Sequence, residues 1–283
     1  MMLKSKGFLA AILAFSGCGN LSSIPQEPKT TPEAFLAAQH WITVHLGDAQ
    51  VVISQPTSSV IVYFVGLFTI LVGFQFYQQR DNQQSKLWWA IGLILTGFGA
   101  LLAGTSYQAF GYEIKCHGRE FCAYTSWWEV HYMLLSALGM NAFLIASAYS
   151  STKGIFRKSI LLYAAIHSVV YTAIVLYGAF VPVQFLVSFE FLMLSSAPAV
   201  VFVLGLHTNA FRISHDAMNR NLRNTWLVFL LVGVAYGTWL ALGLTQPLWN
   251  HGIWFTENDV LHVGMIGWVY YLLKRLPKLL RDL

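Results

Sequence analysis

The chain has 283 residues, of which 56% are hydrophobic and only 10% are charged, and its formal net charge at pH 7 is +5. Soluble domains carry about 25% charged residues, so this composition excludes an ordinary soluble protein and indicates a membrane protein with several spans. The basic residues follow a membrane topology, described below, and do not form one basic face, which argues against nucleic-acid binding.

Residues 1–18 are typical of a signal peptide. Lys4 and Lys6 precede a short apolar run at 7–15, which is too short for a bilayer crossing of about 20 residues. The small residues before Cys18 resemble the lipobox of bacterial lipoproteins, and this resemblance implies cleavage before Cys18 and lipidation of its thiol. An uncleaved signal anchor is the alternative.

Residues 19–57 are predicted to form a polar and amphipathic lead-in on the outer side of the membrane. Several prolines near its start favour an extended conformation. From Pro32 to Leu46 apolar residues recur at helical spacing, which predicts a short helix lying on the membrane surface. We expect the histidines of this segment, His40 and His45, to lie on its solvated face.

Seven apolar segments follow, each about long enough to cross ~30 Å of hydrocarbon. The predicted spans are 58–78, 88–109, 127–149, 159–181, 184–206, 225–245 and 259–273. The fold class predicted from them is an all-α seven-helix membrane bundle over residues 58–275, followed by a basic cytoplasmic tail over 276–283.

The distribution of lysine and arginine sets the orientation of the bundle. One group of connections, together with the tail, carries Arg80, Lys86, Lys153, Arg157, Lys158, Arg212, Arg220, Arg223, Lys274, Arg275, Lys278 and Arg281. The opposite side carries Lys29, Lys115 and Arg119. Positive charge marks the cytoplasm, so the N-terminus lies outside, which is the periplasm if the membrane is a bacterial inner membrane, and the C-terminus lies inside.

Two cysteines lie in the predicted outer loop between spans two and three. Cys116 and Cys122 are six residues apart, and an oxidising compartment permits a disulfide between them. A zinc site that uses both thiols and His117 is the alternative, but a single cysteine pair is a weak zinc signature.

Polar side chains gather at the outer ends of three spans. The end of span two and the starts of spans three and seven are predicted to lie at the same depth in the membrane. The polar residues there are Ser106 and Tyr107 in span two, Glu129 and His131 in span three, and Asn258, Asp259 and His262 in span seven. Ionisable groups inside a membrane normally face a bundle interior or a wet cavity, so we expect this group to form one site. Glu190, near the outer end of span five, is predicted to face the bundle as part of the same pocket.

Helical geometry limits which of these side chains meet. Glu129 and His131 are two residues apart, or about 200° around a helix, so only one of them faces the site. Asp259 and His262 are three apart and share a face. A carboxylate beside an imidazole serves either a metal ligand or a general base.

The layout resembles the CREST membrane hydrolase superfamily, which includes the alkaline ceramidases and the progestin and adipoQ receptors. The resemblance covers about residues 50–275 and is carried mainly by the layout of the spans. Asn258-Asp259-x-x-His262 and Gln55-Pro56-Thr57 resemble the closing and opening motifs of an uncharacterised bacterial branch of this superfamily. It implies a zinc ion held by histidines of spans two and seven, with a serine and an acid nearby, that hydrolyses amide bonds in lipids.

The sequence departs from that pattern at the metal ligands. The end of span two has no histidine, and Asn258 stands where the first histidine of span seven is expected. Glu129 replaces the expected aspartate at the head of span three. A catalytic zinc normally keeps three protein ligands, so the remaining candidates are His262, His131 and one carboxylate, from Asp259 or Glu129.

Two functions therefore compete. The first is a zinc-dependent hydrolase of a membrane lipid or acyl-amide, in which Asp259 or Glu129 activates water and Ser106 or Tyr107 stabilises the oxyanion. The second is a ligand-binding or accessory membrane protein that kept the polar pocket and lost the metal. The missing histidine favours the second function, whereas the crowding of acids and histidines favours the first.

The orientation predicts that the Cys116/Cys122 pair is reachable from outside intact cells. A membrane-impermeant maleimide should label the chain more strongly after external reduction. The double variant Cys116→Ser/Cys122→Ser should lack the reduction-dependent labelling. Label that appears only after the cells are permeabilised would overturn the orientation.

Overall fold

The computed structural model describes residues 20–26, 28–47 and 49–283, with only the backbone at positions 46 and 49. The predicted signal segment 1–18 and the predicted lipidation of Cys18 lie outside these residues. The helices are α1 (Pro32–Ala37), α2 (Pro56–Gln78), α3 (Gln84–Ala103), α4 (Gly111–Lys115), α5 (Trp127–Ser151), α6 (Gly154–Phe180), α7 (Phe189–Ser214), α8 (Ala217–Ala241), α9 (Thr245–Asn250) and α10 (Glu257–Arg275). Strands β1 (Trp41–Leu46) and β2 (Ala49–Ser54) precede α2, and α3 continues into a π-helical segment, Gly104–Ala109.

Within the described chain, six helices are long and apolar enough to cross a membrane: α2, α3 with its π-helical segment, α5, α6, α7 and α8. These helices confirm an all-α membrane protein. The predicted seventh span also forms a helix, α10, but α10 is the least apolar of the long helices because Glu257, Asp259 and His262 occupy its first two turns.

Polar caps fix where several helices begin. Ser126, Ser188, Asp216 and Thr256 precede α5, α7, α8 and α10, and each side chain accepts a hydrogen bond from a backbone N–H of the first turn. Such caps satisfy amide groups that a helix start leaves unpaired. The cap at Ser188 starts α7 several residues later than the predicted span at 184–206.

The predicted surface helix over Pro32–Leu46 is wrong beyond Ala37. Only α1 is helical, and Trp41–Leu46 instead pairs antiparallel with Ala49–Ser54 as a hairpin. The cause is composition, because both strands are rich in β-branched residues that pack well on a pleated surface. Gly47, at φ +65°, supplies the left-handed conformation of the turn.

The long helices form a closed ring. In order around the ring, α2 packs on α3, α3 on α5, α5 on α7, α7 on α8, α8 on α10, and α10 on α2 again. Helix α6 packs on the outside of this ring against α5. The first and last long helices of the chain are therefore neighbours.

An aromatic core fills the half of the ring that lies away from the Glu129 end of α5. Trp89, Phe143, Trp226 and Trp268 are buried and pack ring against ring, with Trp89 and Phe143 centroids 4.8 Å apart. The Trp268 indole N–H donates to the Thr225 carbonyl at 3.0 Å, which satisfies the polar atom of a buried tryptophan.

The predicted basic tail, residues 276–283, packs against the bundle. Both carboxylate oxygens of Asp282 accept backbone hydrogen bonds at the start of α3, from Gln84 at 2.7 Å and Ser85 at 2.8 Å. Asp282 thus caps α3 from a distant part of the chain. Its negative charge lies at the N-terminus of α3, where the helix dipole is positive and stabilises an acid. Leu276 and Leu280 are buried beside it.

Because α2 packs closely on α3, a glycine-to-alanine substitution should destabilise the protein at this contact but not at an open position of another helix. A Cβ at Gly97 would lie 2.7 Å from the Gly66 carbonyl oxygen, whereas one at Gly233 meets nothing within 4 Å. Gly97→Ala should destabilise the protein by about 1–3 kcal/mol through overpacking. Gly233→Ala should be neutral or stabilising by up to ~1 kcal/mol. Unfolding titrations in detergent measure both, and equal stabilities would contradict this packing.

Candidate functional site

A buried carboxylate, Glu129, organises the outer end of spans two and three. It is 1% exposed, and its Oε1 lies 2.7 Å from Ser106 Oγ and 3.0 Å from Lys115 Nζ. Ser126 Oγ lies 2.7 Å from Ser106 Oγ, and because Ser106 donates to the carboxylate, Ser126 donates to Ser106. The Tyr107 hydroxyl also hydrogen-bonds with Glu129. These residues form the Glu129 cluster.

The π-helical segment positions the side chains of span two in this cluster. Ser106 and Tyr107 lie inside Gly104–Ala109, where the wider helical turn changes the direction in which the side chains leave the backbone. Single π-helical turns of this kind occur often at functional sites. The sequence analysis predicted that Ser106, Tyr107 and Glu129 meet, and the structure brings them together.

Lys115 is the member of the cluster that sequence reasoning missed. It ends α4, is 7% exposed, and its ammonium lies 5.0 Å from the centroid of the Tyr107 ring. The predicted disulfide follows directly, because Cys116 and Cys122 are bonded. The Ala123 N–H then donates to the Lys115 carbonyl at 2.8 Å, so the bridged loop folds back onto the lysine.

The lead-in segment covers this loop. The Tyr124 N–H donates to the Ile24 carbonyl at 2.8 Å, and the Cys122 N–H donates to the Thr30 carbonyl at 2.9 Å. From the hairpin, the Val52 N–H donates to the buried Glu113 carboxylate of α4 at 2.8 Å. Two separate parts of the lead-in thus hold the bridged loop and α4, which carries Lys115 at its end.

His131 points away from the Glu129 cluster. It is exposed, and its Nδ1 lies 2.6 Å from the Trp127 carbonyl oxygen of the same helix. This resolves the choice between Glu129 and His131, since a separation of two residues places them on opposite faces of α5.

The predicted zinc ligands do not fit a metal centre. The described part of the chain holds no group of three or more His, Cys, Asp or Glu side chains that could bind an ion together. His131 lies on the exposed face of α5, and Glu129 is already paired with Lys115. Among the described residues, His262 and Asp259 therefore have no third ligand beside them, whereas a catalytic zinc normally has three protein ligands.

Asp259 has a different surrounding at the start of α10. It is 0% exposed, and its Oδ2 accepts from the Thr256 N–H at 2.7 Å and from the Thr256 hydroxyl at 3.1 Å. Together these residues form a capping box. Ser58 Oγ of α2 lies 3.3 Å from Thr256 Oγ1 and adjoins the carboxyl group, but no group has hydrogen-bonding geometry to Asp259 Oδ1.

The neighbours of Asp259 on α10 complete the predicted closing motif. His262 is half-buried, and its Nδ1 is shielded and has no hydrogen-bond partner among the described residues. Asn258 is half-buried. The contact of Ser58 with Thr256 brings the Gln55-Pro56-Thr57 segment and the Asn258-Asp259-x-x-His262 segment to one place, although they are about 200 residues apart.

Glu190 differs from its prediction. Glu190 is exposed. Helix α7 begins at Phe189, so Glu190 lies in its first turn, where the helix dipole stabilises a negative charge. Burial raises the pKa of the Tyr124 hydroxyl above its usual range, and the nearby charges of Glu190 and Glu129 raise it further. Glu190 is thus close to the Glu129 cluster without being part of its buried core.

A second site lies where the hairpin, α2 and the α9–α10 connection meet. We call it the outer cleft, and it is lined by His40, Gln55, Pro56, Thr57, Ser58, Trp249, Trp254 and Thr256. The His40 ring stacks on Trp254 with centroids 4.5 Å apart and meets Trp249 edge-on at 4.7 Å. Three aromatic rings thus surround one end of the cleft.

Unpaired hydrogen-bonding atoms distinguish the walls of this cleft. His40 Nε2, Gln55 Oε1 and Trp249 Nε1 are all shielded from solvent and have no partner within the described chain. Buried polar atoms are normally paired, and although further unpaired side-chain atoms occur elsewhere in the described chain, these three lie around one cleft. Sequence reasoning missed this site, since it placed His40 on a solvated helix.

The backbone at Gln55 is also unusual. It adopts φ +43° directly before Pro56, although left-handed backbone is uncommon outside glycine. The structure holds it there by two hydrogen bonds, from the Gln55 N–H to the His40 carbonyl at 2.7 Å and from Gln55 Nε2 to Gln39 Oε1 at 2.9 Å. Backbone held in such a region clusters at binding and active sites.

The comparison with known proteins identifies a family without an assigned activity. A family of unknown function, DUF6962, matches residues 57–281, which include both the Glu129 cluster and α10. The chain belongs to this family. No curated protein and no solved structure matches the chain. The DUF6962 match begins inside the outer cleft, at Thr57, and leaves His40 and the hairpin outside the matched region.

The buried ion pair predicts a large effect of neutralising Glu129. Glu129→Gln leaves the Lys115 ammonium buried without a counter-ion, which should cost about 3–5 kcal/mol of unfolding free energy. The double variant Lys115→Met/Glu129→Gln should recover most of that loss. Glu120→Gln, at an exposed position of the same loop, should change stability by less than about 0.5 kcal/mol. Detergent-denaturation titrations compare the variants, and equal stability of Glu129→Gln and Glu120→Gln would contradict the role of the pair.

Proposed function

We propose that this chain is a seven-span membrane protein that binds a small ligand in its outer cleft and does not use metal chemistry. The observation that carries the proposal is the set of unpaired, shielded polar atoms on the walls of the cleft. Each such atom costs about 1–3 kcal/mol, and a ligand that pairs with it removes that cost. The rings of His40, Trp249 and Trp254 supply the apolar contact area that small-molecule sites normally have.

The proposed topology makes the cleft accessible from outside the cell. Helix α10 serves as the seventh span, and the lysine and arginine distribution places the N-terminus outside, in the periplasm if the membrane is a bacterial inner membrane. The Cys116–Cys122 disulfide supports this orientation, because such bonds persist in oxidising compartments. The ligand then reaches the cleft either from the outer aqueous side or from the outer leaflet.

The Glu129 cluster fits a structural role better than a hydrolytic one. Ser106 is 0% exposed, and its hydroxyl already donates to Glu129 and accepts from Ser126. A nucleophile or an oxyanion donor must reach a substrate atom within about 3 Å. The Glu129 carboxylate is already engaged by the Lys115 ammonium at 3.0 Å and by the Ser106 hydroxyl at 2.7 Å.

A ligand that copurifies with the protein tests the proposal. Native mass spectrometry of the full chain, extracted in a mild detergent, should show a bound small molecule that is lost in Trp249→Leu. Trp88→Leu, a partly buried tryptophan near the opposite end of the bundle, should retain it. A wild-type protein with no bound molecule under any extraction condition would count against the outer cleft as a binding site.

Elemental analysis separates this function from the hydrolase. We expect no stoichiometric zinc in the purified protein, and no change of metal content in His262→Ala. About one zinc per chain, lost in His262→Ala, would instead support metal-dependent hydrolysis at α10 and refute the metal-free proposal.

A further inference from the structure

The buried carboxyl group of Asp259 lies directly behind Thr256, a residue that lines the outer cleft, and has no cationic partner among the described residues. The carboxyl group is fully buried and hydrogen-bonds with Thr256, which lines the cleft, while its Oδ1 stays unpaired. The ion pairs among the described residues are Lys86–Asp81, Lys115–Glu129 and His117–Glu113, and none involves Asp259. A buried carboxylate normally needs a cationic partner or several hydrogen bonds.

The chain around the cleft offers no such cation. The whole stretch from 224 to 273, which includes α9, α10 and both cleft tryptophans, contains no lysine or arginine. Glu257, next to Thr256, adds a second acid, whose Oε2 accepts from the Thr245 hydroxyl at 2.8 Å. None of the residues that line the cleft is a lysine or an arginine. The cleft is therefore electrostatically suited to a positive ligand and unsuited to an anion.

The aromatic rings favour the same class of ligand. The Trp249 and Trp254 indoles lie on two sides of the His40 ring, at 4.7 Å and 4.5 Å between centroids. Faces of tryptophan attract ammonium groups most strongly among the side chains, and cages of several aromatic rings bind quaternary ammonium ions. The unpaired acceptors, Gln55 Oε1 and Asp259 Oδ1, suit a donor or a cation.

We propose that the ligand of the outer cleft carries an alkylammonium group, which lies against the tryptophan rings with its charge toward Asp259. This inference rests on the binding function proposed above and specifies its ligand. The ammonium can belong to a free amine outside the cell or to the headgroup of an outer-leaflet lipid, since both present the same cation to the rings.

Choline and its uncharged carbon isostere, 3,3-dimethylbutan-1-ol, test the charge directly, because they share one shape. Calorimetric titration of the full chain in detergent should show binding of choline at least about tenfold tighter than binding of the isostere. Asp259→Asn should abolish that preference while keeping the backbone hydrogen bond from Thr256. Trp254→Phe should weaken choline binding less than Trp254→Leu, and the thermal midpoint of each variant reports whether it folds.

Lipid nanodiscs distinguish the two sources of the ammonium. If a headgroup is the ligand, discs of phosphatidylcholine or phosphatidylethanolamine should stabilise the wild type above discs of phosphatidylglycerol, and Asp259→Asn should lose the difference. If a free amine is the ligand, choline should raise the thermal midpoint equally in all discs.

Two results would overturn the inference. Equal affinity for choline and the isostere would show that the positive charge of the ligand does not contribute to binding. That result would refute the ammonium ligand and leave the proposed binding function in place. No response to choline together with no headgroup dependence would refute an ammonium ligand altogether. In that case the copurification experiment with Trp249→Leu still decides the binding function by itself.

Discussion

The outer half of this molecule depends on the buried ion pair between Lys115 and Glu129. Removing both ions from water costs several kcal/mol each, and their attraction offsets that cost only with good geometry and further hydrogen bonds. Ser106 and Tyr107 provide those bonds, and they do so from a π-helical segment that turns them toward the acid. The disulfide-bonded loop that carries the lysine is thereby joined to α3 and α5, and the lead-in folds over all three.

Sequence reasoning found the depth of the polar residues but not all of their partners. The meeting of Ser106, Tyr107 and Glu129 follows from the span order alone, because helix ends on one side of a membrane lie at one level. The Cys116–Cys122 bond was predicted from the short spacing of the cysteines and the predicted outer location of their loop, and the structure confirms the bond. The choice between Glu129 and His131 stayed open, since periodicity shows that they diverge but not which of them faces inward.

The residues that sequence reasoning missed are those placed by tertiary contacts. Lys115 counted as one more loop charge, and only the fold of the bridged loop carries its ammonium to Glu129. His40 belonged to an apparent amphipathic helix, but the β-branched residues after it pair as a hairpin and bring its ring against Trp254. Glu190 was placed too deep because a cap, Ser188, starts α7 later than hydropathy indicates. For Lys115 and His40 a local pattern was overridden by contacts made in the tertiary structure, whereas for Glu190 a local cap decided where the helix begins.

The contact that closes the ring, α2 against α10, has a consequence for how the molecule is made. One wall of the outer cleft comes from residues 40–58 and the other from 249–256, so the Ser58–Thr256 contact spans 198 positions of the chain. During synthesis α2 is made long before α10, so that face of α2 has no partner until the end of the chain has been made. Both walls of the cleft are therefore present only after α10 has packed against α2.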